Sequence, residues 1–259
     1  MNIKPILHFA TLLILSTAEL CASAQTGNAD AGAAHPSPAS SRNDSSWFSY
    51  RDTYQSMIRF EKYGRPKQFI ENRLQVVAKD ANPITTVHQE LHLAIEGNSV
   101  HLNLPLDPLG RTVFPLLKAA FDDNAELIVN RPAGSVTLLP RVSIVPRADG
   151  VYDTADLRAA CAQILQYLDY ANFGAGSNKH CVGVQFIFAR DQESVTVSFK
   201  GADQKQSALQ FAEGKAFADD PNSERSAIFR IATYRFANWA DKGQIVTNSA
   251  PLALTALLE

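Results

Sequence analysis

Two histidines and a glutamate recur at every second residue in the first half of the chain. His88, Glu90 and His92 would line one face of an extended strand, because side chains alternate between the two faces. His101 is expected diagonally across a hairpin from His92, so this set would suit Zn²⁺ as ligands of a metal-assisted hydrolase. The spacing is not the helical H-E-x-x-H of metalloproteases. The alternative, which we favour, is a solvated polar face with the intervening leucines on the buried side.

A second candidate site is the aromatic cluster that begins at Trp47. Trp47, Phe48, Tyr50 and Tyr54 belong to the segment WFSYRDTYQSMIRFEKY. Flat rings of this kind stack on pyranose faces, so an exposed cluster would indicate a carbohydrate-binding module. The alternative is that the rings pack a helix, expected from about Asp52 to Lys62, against the core.

Other polar residues have ordinary structural explanations. Asp107, Asp122 and Asp123 would suit Ca²⁺ or general acid/base chemistry if they gathered, but aspartate is also common at turns and helix ends. The chain contains neither a G-x-S-x-G nucleophile elbow nor a G-x-x-x-x-G-K-[ST] phosphate loop. The sequence therefore favours a protein without catalytic activity.

The first 24 residues, MNIKPILHFATLLILSTAELCASA, have the pattern of a secretory signal peptide. Lys4 precedes an apolar run over residues 6–15, and Ala22-Ser23-Ala24 supplies the small residues of a cleavage site. That run is shorter than the roughly 20 residues of a membrane-spanning helix. Lipid attachment at Cys21 would need a small residue before the cysteine, where Leu20 stands. We expect a periplasmic or secreted protein.

Removal of this segment leaves two cysteines, Cys161 and Cys181, which we expect to form a disulfide in an oxidising compartment. Cys161 lies on the apolar stripe of a helix expected from about Thr154 to Tyr170. In strict alternation Cys181 points away from the apolar face of its strand. The bridge therefore requires an irregular start of that strand or a helix on its other face.

Charge argues against a nucleic-acid partner. The chain has 24 Lys and Arg against 26 Asp and Glu, a net charge of −2, whereas duplex binding usually draws on a basic patch. After residues 1–24 the sequence contains no second apolar segment long enough to span a membrane. The expected partner of the exported protein is an envelope protein or a glycan.

Around these sites the sequence predicts a disordered linker over residues 25–46 and one globular α+β domain over residues 47–259. Antiparallel sheets packed by two or three helices are expected, with a hairpin over residues 91–104 and a short helix from Val113 to Asp122. Further strands are expected at Glu126–Asn130, Ser135–Val145, Cys181–Ala189, Ser194–Phe199, Ile228–Phe236 and Gly243–Thr247. Pro140 confines its strand to a sheet edge or a bulge.

Two stretches with a similar pattern suggest a weak internal repeat around residues 91–145 and 135–199, and hence two similar lobes. Residues 101–120 and 141–160 share a glycine, Gly110 and Gly150, and a following LKAA or LRAA. Overall, the sequence predicts a binding or structural role at the cell envelope. A zinc-dependent hydrolase and a carbohydrate-binding module are the alternatives.

Overall fold

The computed structural model describes residues 45–79, 90–171, 178–220 and 228–259. Within these ranges the chain forms three antiparallel sheets and three α-helices. In chain order the elements are β1 (Ser46–Ser49), α1 (Tyr50–Lys62), β2 (Ile70–Ala78), β3 (Leu93–Glu96), β4 (His101–Leu104), β5 (Arg111–Thr112), α2 (Lys118–Asp122), β6 (Glu126–Val129), β7 (Val136–Ile144), β8 (Val151–Asp153), α3 (Thr154–Ala171), β9 (Cys181–Phe188), β10 (Val197–Gly201), β11 (Gln206–Ala208), β12 (Phe211–Gly214), β13 (Phe229–Arg235), β14 (Gly243–Thr247) and β15 (Ala253–Leu258). A mixed fold with antiparallel sheets is confirmed, but it contains more strand than the sequence indicated.

Several predicted features lie outside the described residues. These are the signal peptide of residues 1–24, nearly all of the linker of residues 25–46, and His88. Ser46, expected as the last linker residue, is the first residue of β1 and pairs with Val129 of β6.

Helices α1 and α3 form where the sequence predicts them. The Ser49 side chain caps α1, because it accepts a hydrogen bond from the Asp52 N–H at 3.2 Å. Acidic Asp52 in the first turn also suits the positive end of the helix dipole. The buried residues of α3 include the predicted apolar stripe Leu157, Cys161 and Ile164.

The helix predicted from Val113 to Asp122 is wrong in its first half, since only Lys118–Asp122 is helical. Tyr50 supplies the reason. Its hydroxyl donates to the Pro115 carbonyl and accepts from the Leu117 N–H, both at 2.7 Å. These contacts hold Leu117 in an extended conformation, and α2 starts only after it.

The strand pairing of the first half, β1 to β7, recurs in the second half, β8 to β15. One small sheet has the order β1-β6-β3-β4, and the other has the order β8-β14-β10-β11. In the large sheet β2 pairs with β5 and β7, while β9 pairs with β13 and β15. In this correspondence Ser46, the first residue of β1, is equivalent to Val151, the first residue of β8. The repeat seen in the strand pairing therefore does not have the 40-residue offset that the sequence suggested.

The two glycine loops that the sequence comparison matched do share one turn. Gly110 and Gly150 have φ of +71° and +66°, a backbone conformation that favours glycine. Their N–H groups donate to the carbonyls of Asp107 and Arg147 at 2.8 and 3.2 Å. Each turn leads into a short strand, β5 or β8, and later into a helix.

The large sheet has the strand order β12-β13-β9-β15-β7-β2-β5. Its inner face packs against α1, α3 and the two small sheets, and holds most of the buried apolar residues. Its outer face carries a smaller apolar cluster, formed by Leu109, Ile187, Ala216, Phe217, Ile231 and Ala253. The middle of the large sheet is therefore the place where the two halves of the chain meet.

The sulfur atoms of Cys161 and Cys181 lie at disulfide bonding distance, with the Cα atoms 5.8 Å apart. An irregularity in β9 allows this. Leu257 and Leu258 of β15 oppose Gly183 and Cys181, so β9 has one extra residue between these two positions. Such a bulge turns the following side chain to the opposite face. Cys181 is thereby directed to the inner face and to α3, through the irregular strand start that the bridge requires.

Candidate ligand-binding site

The structure separates the histidines of the predicted metal site. His101 lies opposite Glu96 in the β3–β4 hairpin, and its Nδ1 contacts that carboxylate. His92 precedes β3, at the opposite end of the hairpin from His101. The predicted position of His101 diagonally across from His92 is therefore wrong, because the turn sets a register that pairs His101 with Glu96. Glu90 and His92 are exposed. Among the described residues no three His, Cys, Asp or Glu side chains could hold a metal ion. The wider zinc site with His88 stays a prediction.

The three aspartates do not gather either, and each has a local partner. Asp107 accepts hydrogen bonds from N–H groups of its own loop at 2.9 Å. Asp122 pairs with Lys118 one turn away. Asp123 accepts from the Ser99 side chain and N–H, which hold the pKa of that carboxyl below its usual value.

The four aromatic residues do not form one exposed platform. Tyr50 is fully buried, so the stacking prediction is wrong for this residue. Phe48 and Tyr54 are half-buried, and the Tyr54 ring lies 4.9 Å from the Phe121 ring. Trp47, which alternates with Phe48 along β1, is 40% exposed. Glycan stacking stays a prediction for Trp47.

A site that sequence reasoning missed lies between β7 and β15, a boundary that we call the seam. These strands are neighbours in the large sheet, yet within the described strands they pair at one position, Ile144 with Leu254. By contrast, β7 pairs with β2 along its entire length, and β15 pairs continuously with β9. The two halves of the sheet therefore separate beyond the Ile144–Leu254 pair.

Pro140 lies in the middle of β7, on the edge that faces β15. The Lys79 N–H donates to the Ser135 carbonyl at 2.7 Å, and the Val145 N–H donates to the Phe69 carbonyl at 3.0 Å. Odd-numbered residues of β7 thus exchange hydrogen bonds with β2, and even-numbered residues face β15. Because proline has no N–H and residue 140 faces β15, the ladder with β2 loses no hydrogen bond, whereas the β7 edge that faces the seam lacks the donor of residue 140. On this side β7 behaves as the edge that Pro140 predicts.

The open part of the seam forms a cleft of about 430 Å³, within the size range of small-molecule sites. Its inner wall is apolar and reaches the helix layer, with the lining residues Pro140, Val142, Ile164, Leu168, Ala256 and Leu258. Its outer wall contains Leu139, Arg141, Gln185, Phe217, Thr255 and Leu257, with Lys179, Ala218 and Asp219 completing the lining. The strand alternation divides the two walls, because neighbouring residues of β7 and β15 point to opposite faces.

Arg141 is buried in the outer wall and fully engaged. Its Nη1 lies 2.6 and 2.7 Å from the two carboxylate oxygens of Asp219, and its Nη2 contacts Asp220. Its Nε donates to the Gln75 side chain at 2.6 Å, and the guanidinium lies 4.8 Å from the Phe217 ring centroid. Burial raises the pKa of Asp220, with Arg141 opposing this effect and Asp219 adding to it. Arg141 thus fixes residues 217–220 beside the cleft.

A second buried arginine extends this network along the outer face. Arg111 is 1% exposed, and its Nε donates to Asp107 at 2.9 Å while its Nη2 donates to the Leu252 carbonyl at 2.6 Å. Nearby, Arg73 pairs with Glu71. Buried charges of this kind need partners, and here each arginine has at least one carboxylate. Two features of the sequence could have indicated this network of buried arginines. They are the i,i+4 spacing of Asp107 and Arg111 and the adjacent carboxylates Asp219 and Asp220.

Three polar side chains of the lining have no partner within the described part of the chain. Thr255 is 8% exposed, and its hydroxyl makes no hydrogen bond there; Gln185 lies directly opposite it on β9 with a free amide. Lys179 is exposed and forms no ion pair with a described residue. Among the described residues the lining contains no serine, cysteine or histidine. This arrangement can hold a ligand.

Comparison of the chain with protein-family models, with curated proteins and with solved structures gives no match. The geometry of the cleft is therefore the basis for inferring function. Among the described helices, none is long and apolar enough to cross a bilayer.

Proposed function

We propose that this is an exported protein of the cell envelope that binds a small, largely apolar ligand in the seam cleft and catalyses no reaction on it. The observation that carries this proposal is the opening of the large sheet between β7 and β15. A sheet interior normally continues its hydrogen bonding from strand to strand. Here the pairing stops next to an apolar wall, which is the composition typical of ligand pockets.

Two features support binding of a small molecule over addition of a peptide strand. Strand addition relies on a regular row of backbone donors and acceptors, and Pro140 removes the donor at the centre of the β7 edge. The cleft also reaches through the sheet to Ile164 and Leu168 of α3. An inserted apolar group would contact these side chains, whereas an added strand would lie in the plane of the sheet.

Export is supported by the pattern of residues 1–24 and by the geometry of the Cys161–Cys181 pair, since disulfides persist in oxidising compartments. The proposed location is the periplasm or the medium, with an envelope protein or a glycan as an additional partner. Cell fractionation followed by mass spectrometry of the intact protein tests this. A mature chain that starts at Gln25 supports export, and a cytosolic chain that retains residues 1–24 contradicts it.

Ligand binding is tested with N-phenyl-1-naphthylamine, a neutral dye that fluoresces strongly in apolar surroundings. The purified protein should bind the dye at one site. Ala218 is exposed and lines the cleft, so Ala218→Trp should fill the opening and reduce dye binding about tenfold or more without unfolding the protein. Ala162→Trp, on the exposed surface of α3, is the matched control and should bind normally. Equal binding by both variants would contradict the proposal.

A further inference from the structure

We infer that the ligand is an amphiphile with an anionic head group and an apolar chain, for which a fatty carboxylate is the simplest example. This inference rests on the proposed function and specifies its ligand class. It follows from three properties of the cleft: the charge that remains on its lining, the kind of hydrogen-bonding groups that are free, and the division between its walls.

The first property is charge. Three charged residues line the cleft, Arg141, Asp219 and Lys179. Arg141 is paired with two carboxylates, Asp219 through hydrogen bonds of 2.6 and 2.7 Å and Asp220 outside the lining, so its positive charge is not free. Lys179 is the lining charge that has no ion-pair partner within the described chain, so the free charge at the cleft is a positive one. Asp219 is largely exposed, but Arg141 holds both of its oxygens, so a cationic head group would meet a carboxylate whose charge Arg141 already offsets in part.

The second property is the character of the free polar groups. The Thr255 hydroxyl, the Gln185 amide and the Lys179 ammonium can all donate hydrogen bonds. The carboxylate of the lining, Asp219, accepts two hydrogen bonds from Arg141 and is otherwise exposed to solvent. A carboxylate accepts several hydrogen bonds and donates none, so it matches a set of three donors. Thr255 is 8% exposed and its hydroxyl has no hydrogen-bond partner within the described chain, so the hydroxyl is free to donate to a ligand in the cleft.

The third property is the arrangement of the walls. Thr255 and Gln185 belong to the outer wall, whereas Ile164 and Leu168 lie on α3 beyond the inner face. A ligand whose head group contacts the outer wall would place its chain through the seam against α3. A cavity of 430 Å³ corresponds to about 14 molecules of liquid water at about 30 Å³ each, which suits an alkyl chain of about ten carbons.

Lys179 is placed to meet the head group at the open end of the seam. It lies two residues before Cys181, which opposes Leu258 at the end of β15 away from the Ile144–Leu254 pair. An exposed ion pair at this position adds a modest preference to the larger apolar contribution. The expected preference for an anion is therefore about two- to fivefold.

Displacement of N-phenyl-1-naphthylamine from the purified full chain tests this inference with three probes: decanoate, decan-1-ol and decyltrimethylammonium. Decanoate should bind most tightly and the ammonium least tightly. Lys179→Gln should bring decanoate to the affinity of decan-1-ol and leave decan-1-ol unchanged, and Lys179→Glu should reverse the order of the two ions. Thr255→Val should weaken decanoate binding about tenfold. Lys242→Gln, at an exposed lysine outside the lining, is the control and should change nothing.

The outcomes separate the two proposals. If the three probes bind with equal affinity, or the ammonium binds best, the anionic head group is contradicted and ligand binding in the cleft stands. If neither the dye nor any of the three probes binds, the proposed function fails and the ligand class fails with it.

Discussion

Ile144 and Leu254 form the one backbone pair through which β7 and β15 join the two halves of the large sheet within the described strands. The residues next to this pair, Ser143 and Thr255, lie on the outer face. The Ser143 hydroxyl donates to Glu71, whereas the Thr255 hydroxyl has no hydrogen-bond partner among the described residues. From that point the strands separate and the cleft begins. The same pair thus holds the two halves together and sets the closed end of the proposed binding site.

The Arg141 network should make a large contribution to stability. We expect Arg141→Met to lower the free energy of unfolding by about 3 kcal/mol, because it leaves the partly buried Asp220 carboxylate without its guanidinium partner. Arg147→Met removes an exposed ion pair with Asp149 and should cost less than about 1 kcal/mol. Urea unfolding followed by circular dichroism gives both values. Equal effects of the two substitutions would show that the buried network is not stabilising.

The Cys161–Cys181 bridge closes a loop of sequence separation 20 and should stabilise the protein by about 3 kcal/mol. A double variant, Cys161→Ala with Cys181→Ala, should lose this amount in denaturant unfolding. Reductant should destabilise the wild-type protein and leave the variant unchanged. Two titratable thiols in the unreduced, denatured mature protein would disprove the bridge.

Two buried tyrosines should respond in opposite ways to removal of their hydroxyl groups. The Tyr167 hydroxyl is buried and has no hydrogen-bond partner within the described ranges, so Tyr167→Phe should stabilise the protein by about 1 kcal/mol. The Tyr50 hydroxyl makes two hydrogen bonds of 2.7 Å, so Tyr50→Phe should destabilise it by about 1–2 kcal/mol. Paired thermal and urea unfolding curves decide this. Destabilisation of similar size in both variants would contradict the assignment of partners.

Tyrosine ionisation should make the protein sensitive to alkali. Burial raises the pKa values of several tyrosines, namely Tyr50, Tyr63, Tyr152, Tyr167 and Tyr234, and that of Tyr167 to about 12. Since the folded pKa of Tyr167 exceeds its ordinary value of 10.0, the associated stability is present below pH 10 and is lost as the pH rises from about 10 to about 12. Phenolate absorbance of the native protein should therefore rise at higher pH than that of the urea-denatured protein. Superimposable titration curves would refute the burial of these hydroxyls.

The sequence predicts elements that local pattern and capping determine. The helices α1 and α3, the β3–β4 hairpin and the strand Gly243–Thr247 lie where periodicity and turn residues place them. The sequence does not predict β15, because Ala253–Leu258 reads ALTALL, a composition typical of helices. The extended conformation of this segment depends on its pairing with β9.

Neither the buried arginines nor the cleft could be predicted in the same way. Arg141 is buried because Asp219 and Asp220 reach it from a distant segment, a contact that no local spacing reveals. The cleft exists because β7 and β15, far apart in the chain, separate after one pair. Pro140 was the local signal for it, since proline at this position predicted a sheet edge or a bulge.

The most direct test of ligand binding at the seam is methyl NMR of the purified protein during titration with N-phenyl-1-naphthylamine. The methyl signals of residues that line the cleft, Leu139, Ile164, Leu168, Leu257 and Leu258, should shift together and saturate. Those of the exposed Leu102 and Val113, outside the cleft, should stay in place. Shifts confined to Leu102 or Val113, or no shift at any of the five lining residues, would contradict the seam as a binding site.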